Sequence, residues 1–187
     1  MAISSLLRGA GNRTVIGLID WDLKNKPDAN VLILGLDDRY AIDNYILDPV
    51  AVGLLLLREG VVSPDVFGLN AEAGYLSIAQ ADSDILVKIA VKIVSDIHKR
   101  LKEKEKEDVV SLKFQYAEGF SIELPRWLAV LQGHRLEAVI KEAYPALLRY
   151  RGEPDLKRDV IGKIFKDRPG LIPVAIVDTM KAIQAVR

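Results

Sequence analysis

Apolar positions change their period several times along the chain, and each change marks an element. From Arg13 to Asp20 the apolar residues are β-branched and nearly continuous, the pattern of a strand buried on both faces in a parallel sheet covered by helices. Residues 22 to 30 are polar and include Pro27, which makes them a loop, and Val31-Leu32-Ile33-Leu34 reads as a second strand. No amphipathic helix separates these strands, so they sit side by side or flank a third; the pattern leaves both arrangements open. Residues 41 to 47 predict a short helix that stops before Asp48-Pro49. Asp48 is suited to cap the next helix and Pro49 to its first turn, and that helix runs to about Glu59 and closes at Gly60. Ser63 to Asn70, with Pro64 and Gly68, is a loop with room for one helical turn.

The longest helix opens at Asp82 or Ser83. Leu86, Ile89, Ile93, Ile97 and Leu101 recur three and four residues apart and form one apolar stripe. The alternating charges from Lys102 to Glu107 predict a solvated end, not a nucleic-acid contact, which would need one sign. Val109 to Gln115 and Phe120 to Leu124 alternate with period two around a turn at Gly119, a β-hairpin signature. A helix follows from Pro125 through Leu131, and Gly133-His134 breaks it. Leu136, Val139, Ile140 and Ala143 carry the next one to Pro145. Asp155 to Phe165 and Pro173 to Val186 are two further amphipathic helices. The sum is an α/β fold: a small, mostly parallel sheet covered by helices, a β-hairpin, and a helical C-terminal part. The boundaries predicted are 1–124 for the α/β core and 125–187 for the helical part packed on it.

Composition narrows the function classes. Half of the 187 residues are hydrophobic, and 26 basic residues balance 26 acidic ones. The length suits one domain, and zero net charge confines any nucleic-acid interface to a local patch. Without cysteine there is no disulfide, thiolate metal site or cysteine nucleophile. The first eight residues lack the apolar core of a secretory signal. Val50 to Leu57, the strongest apolar run, is far shorter than the roughly 20 residues of a membrane span. The expectation is a soluble, cytoplasmic protein with no membrane contact. G-x-S-x-G, Walker A and G-x-G-x-x-G motifs are all missing.

The most informative tripeptide is Asp20-Trp21-Asp22, at the end of the first strand. Residues i and i+2 of a strand share a face, so both carboxylates are expected to project together. Open α/β sheets place ligands at the carboxyl ends of their strands, and two carboxylates there suit a hard cation such as Mg²⁺. Other candidates are poorer. His98 reads as a surface residue; His134 suits a helix cap or a phosphate contact. The two histidines lie too far apart in sequence for a zinc site. Arg149, Arg151, Lys157 and Arg158 form a basic cluster at a helix entry, and Trp21, Tyr40, Tyr45, Phe114, Tyr116 and Trp127 are expected to pack in the core.

Asp20-Trp21-Asp22 followed by Arg39-Tyr40-Ala41-Ile42-Asp43-Asn44-Tyr45-Ile46-Leu47-Asp48-Pro49 resembles the TOPRIM-type domains of bacterial ATPase-associated proteins. Those are the overcoming-lysogenisation-defect nucleases and their phage-defence relatives, which pair a strand-end D-x-D with R-x-x-I-E-N-Y-L-L-x-P. Leu124-Pro125-Arg126-Trp127 and Gly133-His134-Arg135-Leu136 are similar to that family's helical C-terminal part. The resemblance implies phosphodiester cleavage dependent on Mg²⁺ or Mn²⁺, with Asp20, Asp22 and Asp43 as metal ligands. Nucleic acid and an ATPase domain or protein are the partners expected with it, and a homo-oligomer is a further expectation. The resemblance also implies a glutamate on an earlier strand, whereas the twelve residues before Arg13 contain no acidic residue, and Asp43 stands where the family has glutamate. The chain alone is therefore expected to be an incomplete nuclease. The competing reading is a noncatalytic interaction domain for an ATPase or for self-association, using accessible helix residues such as Leu54 to Leu57.

Overall fold

A computed structural model of the chain describes residues 3–185 apart from Arg13, Ala29 and Val109. The predicted starts of the first strand and of the hairpin, Arg13 and Val109, and the predicted end of the last helix, Val186, lie outside the described residues. Helices dominate a mixed α/β structure with two separate, two-stranded sheets. Helix α1 (Ile3–Gly9) precedes β1 (Gly17–Asp20), which pairs in parallel with β2 (Val31–Leu34) from Gly17↔Val31 to Asp20↔Leu34. The two strands are thus direct neighbours. β1 is not buried on both faces as its apolar run predicts: Leu18 and Ile19 are 37% and 40% exposed. It is an edge strand of a two-stranded sheet, and a continuous apolar run does not distinguish an edge strand from a central one.

Helix α2 (Ile42–Ile46) leads into α3 (Pro49–Arg58). Asp48 caps α3 as predicted, its Oδ1 accepting the Val50 N–H at 3.0 Å. Every residue of α3 from Pro49 to Leu57 is buried, which corrects the expectation that Leu54 to Leu57 are accessible. A helix apolar on all sides is stable only when surrounded. A 3₁₀ turn (Pro64–Phe67) and the short helix α4 (Tyr75–Ala79) come before α5 (Ser83–His98). The α5 stripe packs along α3 where Gly53 lets the helices approach; a Cβ there would fall inside the Ile89 side chain.

Strands β3 (Ser111–Gln115) and β4 (Ser121–Pro125) form the predicted antiparallel hairpin, and Gly119 supplies the left-handed turn residue at φ +97°. The C-terminal part comprises α6 (Arg126–Val130), α7 (Gly133–Ala143), α8 (Asp155–Asp159) and α9 (Val174–Ala185). α8 continues into a π-helical segment (Val160–Phe165) that packs on α3. One hydrophobic cluster extends from Ile46 to Leu171 and joins the two parts. No helix of the described residues is long and apolar enough to cross a membrane.

Residues 39–49 fold as a buried polar hub. Arg39 and Asp48 are 1% and 0% exposed, and Arg39 Nη1 donates to Asp48 Oδ2 at 2.9 Å and to the Asn44 carbonyl at 2.9 Å. The guanidinium lies over the rings of Tyr45 and Phe114. Tyr116 from the hairpin donates to Asp48 Oδ1 at 2.9 Å; burial first, and then Asp48, keeps that phenol protonated. Asn44 Nδ2 donates to the carbonyls of Leu131 and Leu128 and so fastens α2 to α6. These contacts hold the first turn of α2, and with it Asp43, in a fixed position.

Candidate functional site: an acidic cleft

Asp20 closes β1, and the chain then turns. Asp22 and Leu23 both take left-handed backbone conformations, φ +51° and +58°. Asp22 is therefore not a strand residue, and strand alternation is not what brings it beside Asp20. The turn does so instead. It is held by Lys24 and Asn25 N–H groups donating to the Trp21 carbonyl, and by the Asn25 amide donating to the Asp20 carbonyl at 2.8 Å. The Asp22 N–H donates to the Tyr40 carbonyl at 2.9 Å, and the Tyr40 N–H to that of Ala129, which ties the turn to α6.

Asp20 supplies what the α2 terminus lacks. Ala41 at the cap position has no side-chain hydrogen bond to give, and Asp20 Oδ1 accepts the Ile42 N–H at 2.8 Å. Asp43 follows in the first turn of α2, where a carboxylate is favoured by the helix dipole. Gly133 at the start of α7 lies so near that a Cβ would stand 2.6 Å from the Asp43 Cβ. Lys157 of α8 reaches Asp43 Oδ2 at 3.0 Å.

Asp20, Asp22, Asp43 and Glu153 are the acids of one cleft of about 450 Å³, with Lys24, Tyr40, Gln132, Gly133 and His134 at its walls. The cleft is large enough for a small polar ligand. Burial, followed by repulsion from Asp22 and Asp43, raises the Asp20 pKa above its ordinary value of 3.8, against the opposing Ile42 N–H bond. Among the described residues neither Asp20 nor Asp22 has an ion-pair partner, whereas Asp43 is paired with Lys157. Among those residues no group of three or more His, Cys, Asp or Glu side chains is placed to hold a metal ion together. That geometry does not suit a closed zinc-type site. A hard cation that keeps most of its waters asks for only one or two carboxylates.

The structure thus gathers all three predicted residues at one cleft but gives them unequal freedom. Lys157 was legible only as part of a basic cluster. In the fold that cluster disperses: Arg149 pairs with Glu59, Arg158 with Asp155, and Lys157 turns inward to Asp43 and Glu137. Lys157 and Asp43 are 114 residues apart in sequence, and no local pattern signals their contact. His134 is exposed at the cleft, its Nδ1 3.7 Å from Glu153 Oε1. His98 is not a plain surface residue; it is half-buried against Trp127, with ring centroids 5.9 Å apart. Tyr45, Phe114, Tyr116 and Trp127 are buried as expected, while Trp21 and Tyr40 are only half-buried, Tyr40 at the cleft wall. No protein-family model, curated protein or solved structure matches the chain.

Proposed function

We propose that the chain is a TOPRIM-like domain whose acidic cleft takes Mg²⁺ or Mn²⁺ and serves a phosphodiester-cleaving protein of the bacterial defence or DNA-processing kind. The observation that carries this reading is the placement of Asp20 and Asp22 in one cleft without a cationic partner, with Asp20 raised in pKa by burial and by its acidic neighbours. A half-buried carboxylate crowded by like charges costs free energy that a divalent ion removes. Asp20 and Asp22 would hold the ion, and Asp43 stands at the wall paired with Lys157. Such an ion neutralises phosphoryl oxygens and lowers the pKa of an attacking water. Of the chain's own groups, Asp20 also holds α2 in place, and His134 lines the same cleft. The proton-transfer glutamate implied by the resemblance would come from a residue outside this sequence. Calorimetric titration with Mg²⁺ or Mn²⁺ tests the proposal. Heat that saturates in the native protein and vanishes in Asp20→Ala supports it, and identical heats for the two remove it.

A second reading, a noncatalytic domain for binding an ATPase or a second copy, rests on a different observation. Ile3, Leu6 and Leu7 of α1 are 75%, 60% and 41% exposed, and Leu18 and Ile19 of β1 are also partly open. Light scattering across a concentration series separates the two. Self-association that leaves divalent-cation binding undetectable favours the second.

A further inference from the structure

We infer that Lys157 is a positioning residue that occupies the third carboxylate of the cleft, so that a divalent cation engages Asp20 and Asp22 but not Asp43. This rests on the cation reading above and narrows its ligand set. Lys157 is only 12% exposed, and its ammonium stands 3.0 Å from Asp43 Oδ2 and 3.5 Å from Glu137 Oε2. Glu137 is itself held, its Oε1 2.7 Å from Lys141 Nζ, which also donates to the Tyr150 carbonyl at 2.8 Å. Lys157 is thus one link in a chain of fixed charges, not a loose side chain that swings away. On its other side Asp43 is confined by Gly133. With the carboxylate already paired and walled in, turning it toward a cation would leave the Lys157 ammonium only its longer contacts, 3.5 Å to Glu137 Oε2 and 4.0 Å to Glu153 Oε1. Lys157 therefore sets cation affinity below what three free carboxylates would give.

The test measures free Mn²⁺ by electron paramagnetic resonance at neutral pH for the native protein, Asp20→Asn, Lys157→Met and the double variant Asp43→Asn/Lys157→Met. The double variant removes the pair without changing net charge and leaves Glu137 its Lys141 partner, which keeps the comparison open should Lys157→Met alone fail to fold; circular dichroism checks each variant. The inference expects the double variant to bind Mn²⁺ within about threefold of native and Lys157→Met, where folded, to bind about tenfold tighter, since one nearby positive charge is gone. A double variant that loses Mn²⁺ as fully as Asp20→Asn does would make Asp43 a ligand and overturn the inference while leaving the cation reading intact. Equal binding by native protein and Asp20→Asn would instead overturn the cation reading, and the inference with it.

Discussion

Asp20 serves two ends that oppose each other. Its Oδ1 holds the Ile42 N–H, which stabilises α2, while its charge is disfavoured by burial and by Asp22 and Asp43. A carboxyl with a raised native pKa contributes favourably below its ordinary value of 3.8, and that contribution is lost as pH rises through the native value. At neutral pH the ionised group is therefore a net cost. Asp20→Asn keeps an acceptor oxygen and removes the charge. It is expected to raise the melting temperature in cation-free buffer by roughly 1–3 °C and to abolish the further rise that Mn²⁺ gives the native protein. A lower melting temperature without cation would show that the capping bond outweighs the repulsion. The hub obeys different arithmetic, because Arg39 and Asp48 are fully buried and mutually paired. Arg39→Met leaves Asp48 charged and buried, and is expected to cost about 3–5 kcal/mol in denaturant unfolding. A loss below about 1 kcal/mol would mean that the hub is solvated.

At the level of elements, the close crossing of α3 and α5 depends on a missing side chain. Gly53→Ala places a methyl in the volume of Ile89 and should destabilise by about 1–3 kcal/mol. Gly53→Ala combined with Ile89→Ala should cost less than the sum of the two single changes, and strict additivity would argue against the contact. A second junction ties the turn after α5 to α7. Arg135 grips Glu105 at 3.0 and 3.1 Å, which holds that carboxylate at about 2, below its ordinary 4.5. This stabilisation is present above 4.5 and is lost as pH falls through about 2. Acid unfolding is therefore expected to steepen in that interval, and Arg135→Ala should flatten it; an unchanged profile would leave the pair without thermodynamic weight. Much of this level was legible in the sequence. The stripe from Leu86 to Leu101 is buried throughout, the hairpin has its predicted turn, and Asp48 caps α3. Patterns of period two and 3.6 report which side of an element is apolar, but not what lies against it. For that reason the exposure of β1 and the burial of α3 from Pro49 to Leu57 were not readable. The paired acids at residues 20 and 22 were visible, though strand alternation gave the wrong cause for their proximity. The contacts of Lys157 with Asp43, and of Gly133 with Asp43, exist only after distant segments meet.

For the molecule as a whole, the two halves share one apolar cluster and meet at the acidic cleft. Acids from the β1 turn and α2 face residues from the start of α7, while α8 supplies Lys157 from behind. The cleft thus depends on both halves of the chain, and changes in the C-terminal helices should alter cation affinity without touching the ligands. Charges are balanced overall, so any preference for cations must come from this local arrangement and not from net charge. Paramagnetic broadening of amide resonances by substoichiometric Mn²⁺ tests that most directly. Broadening confined to residues 20–24, 40–43 and 132–134 is the predicted result; no broadening, or broadening centred on the charged stretch 102–107, would contradict the account.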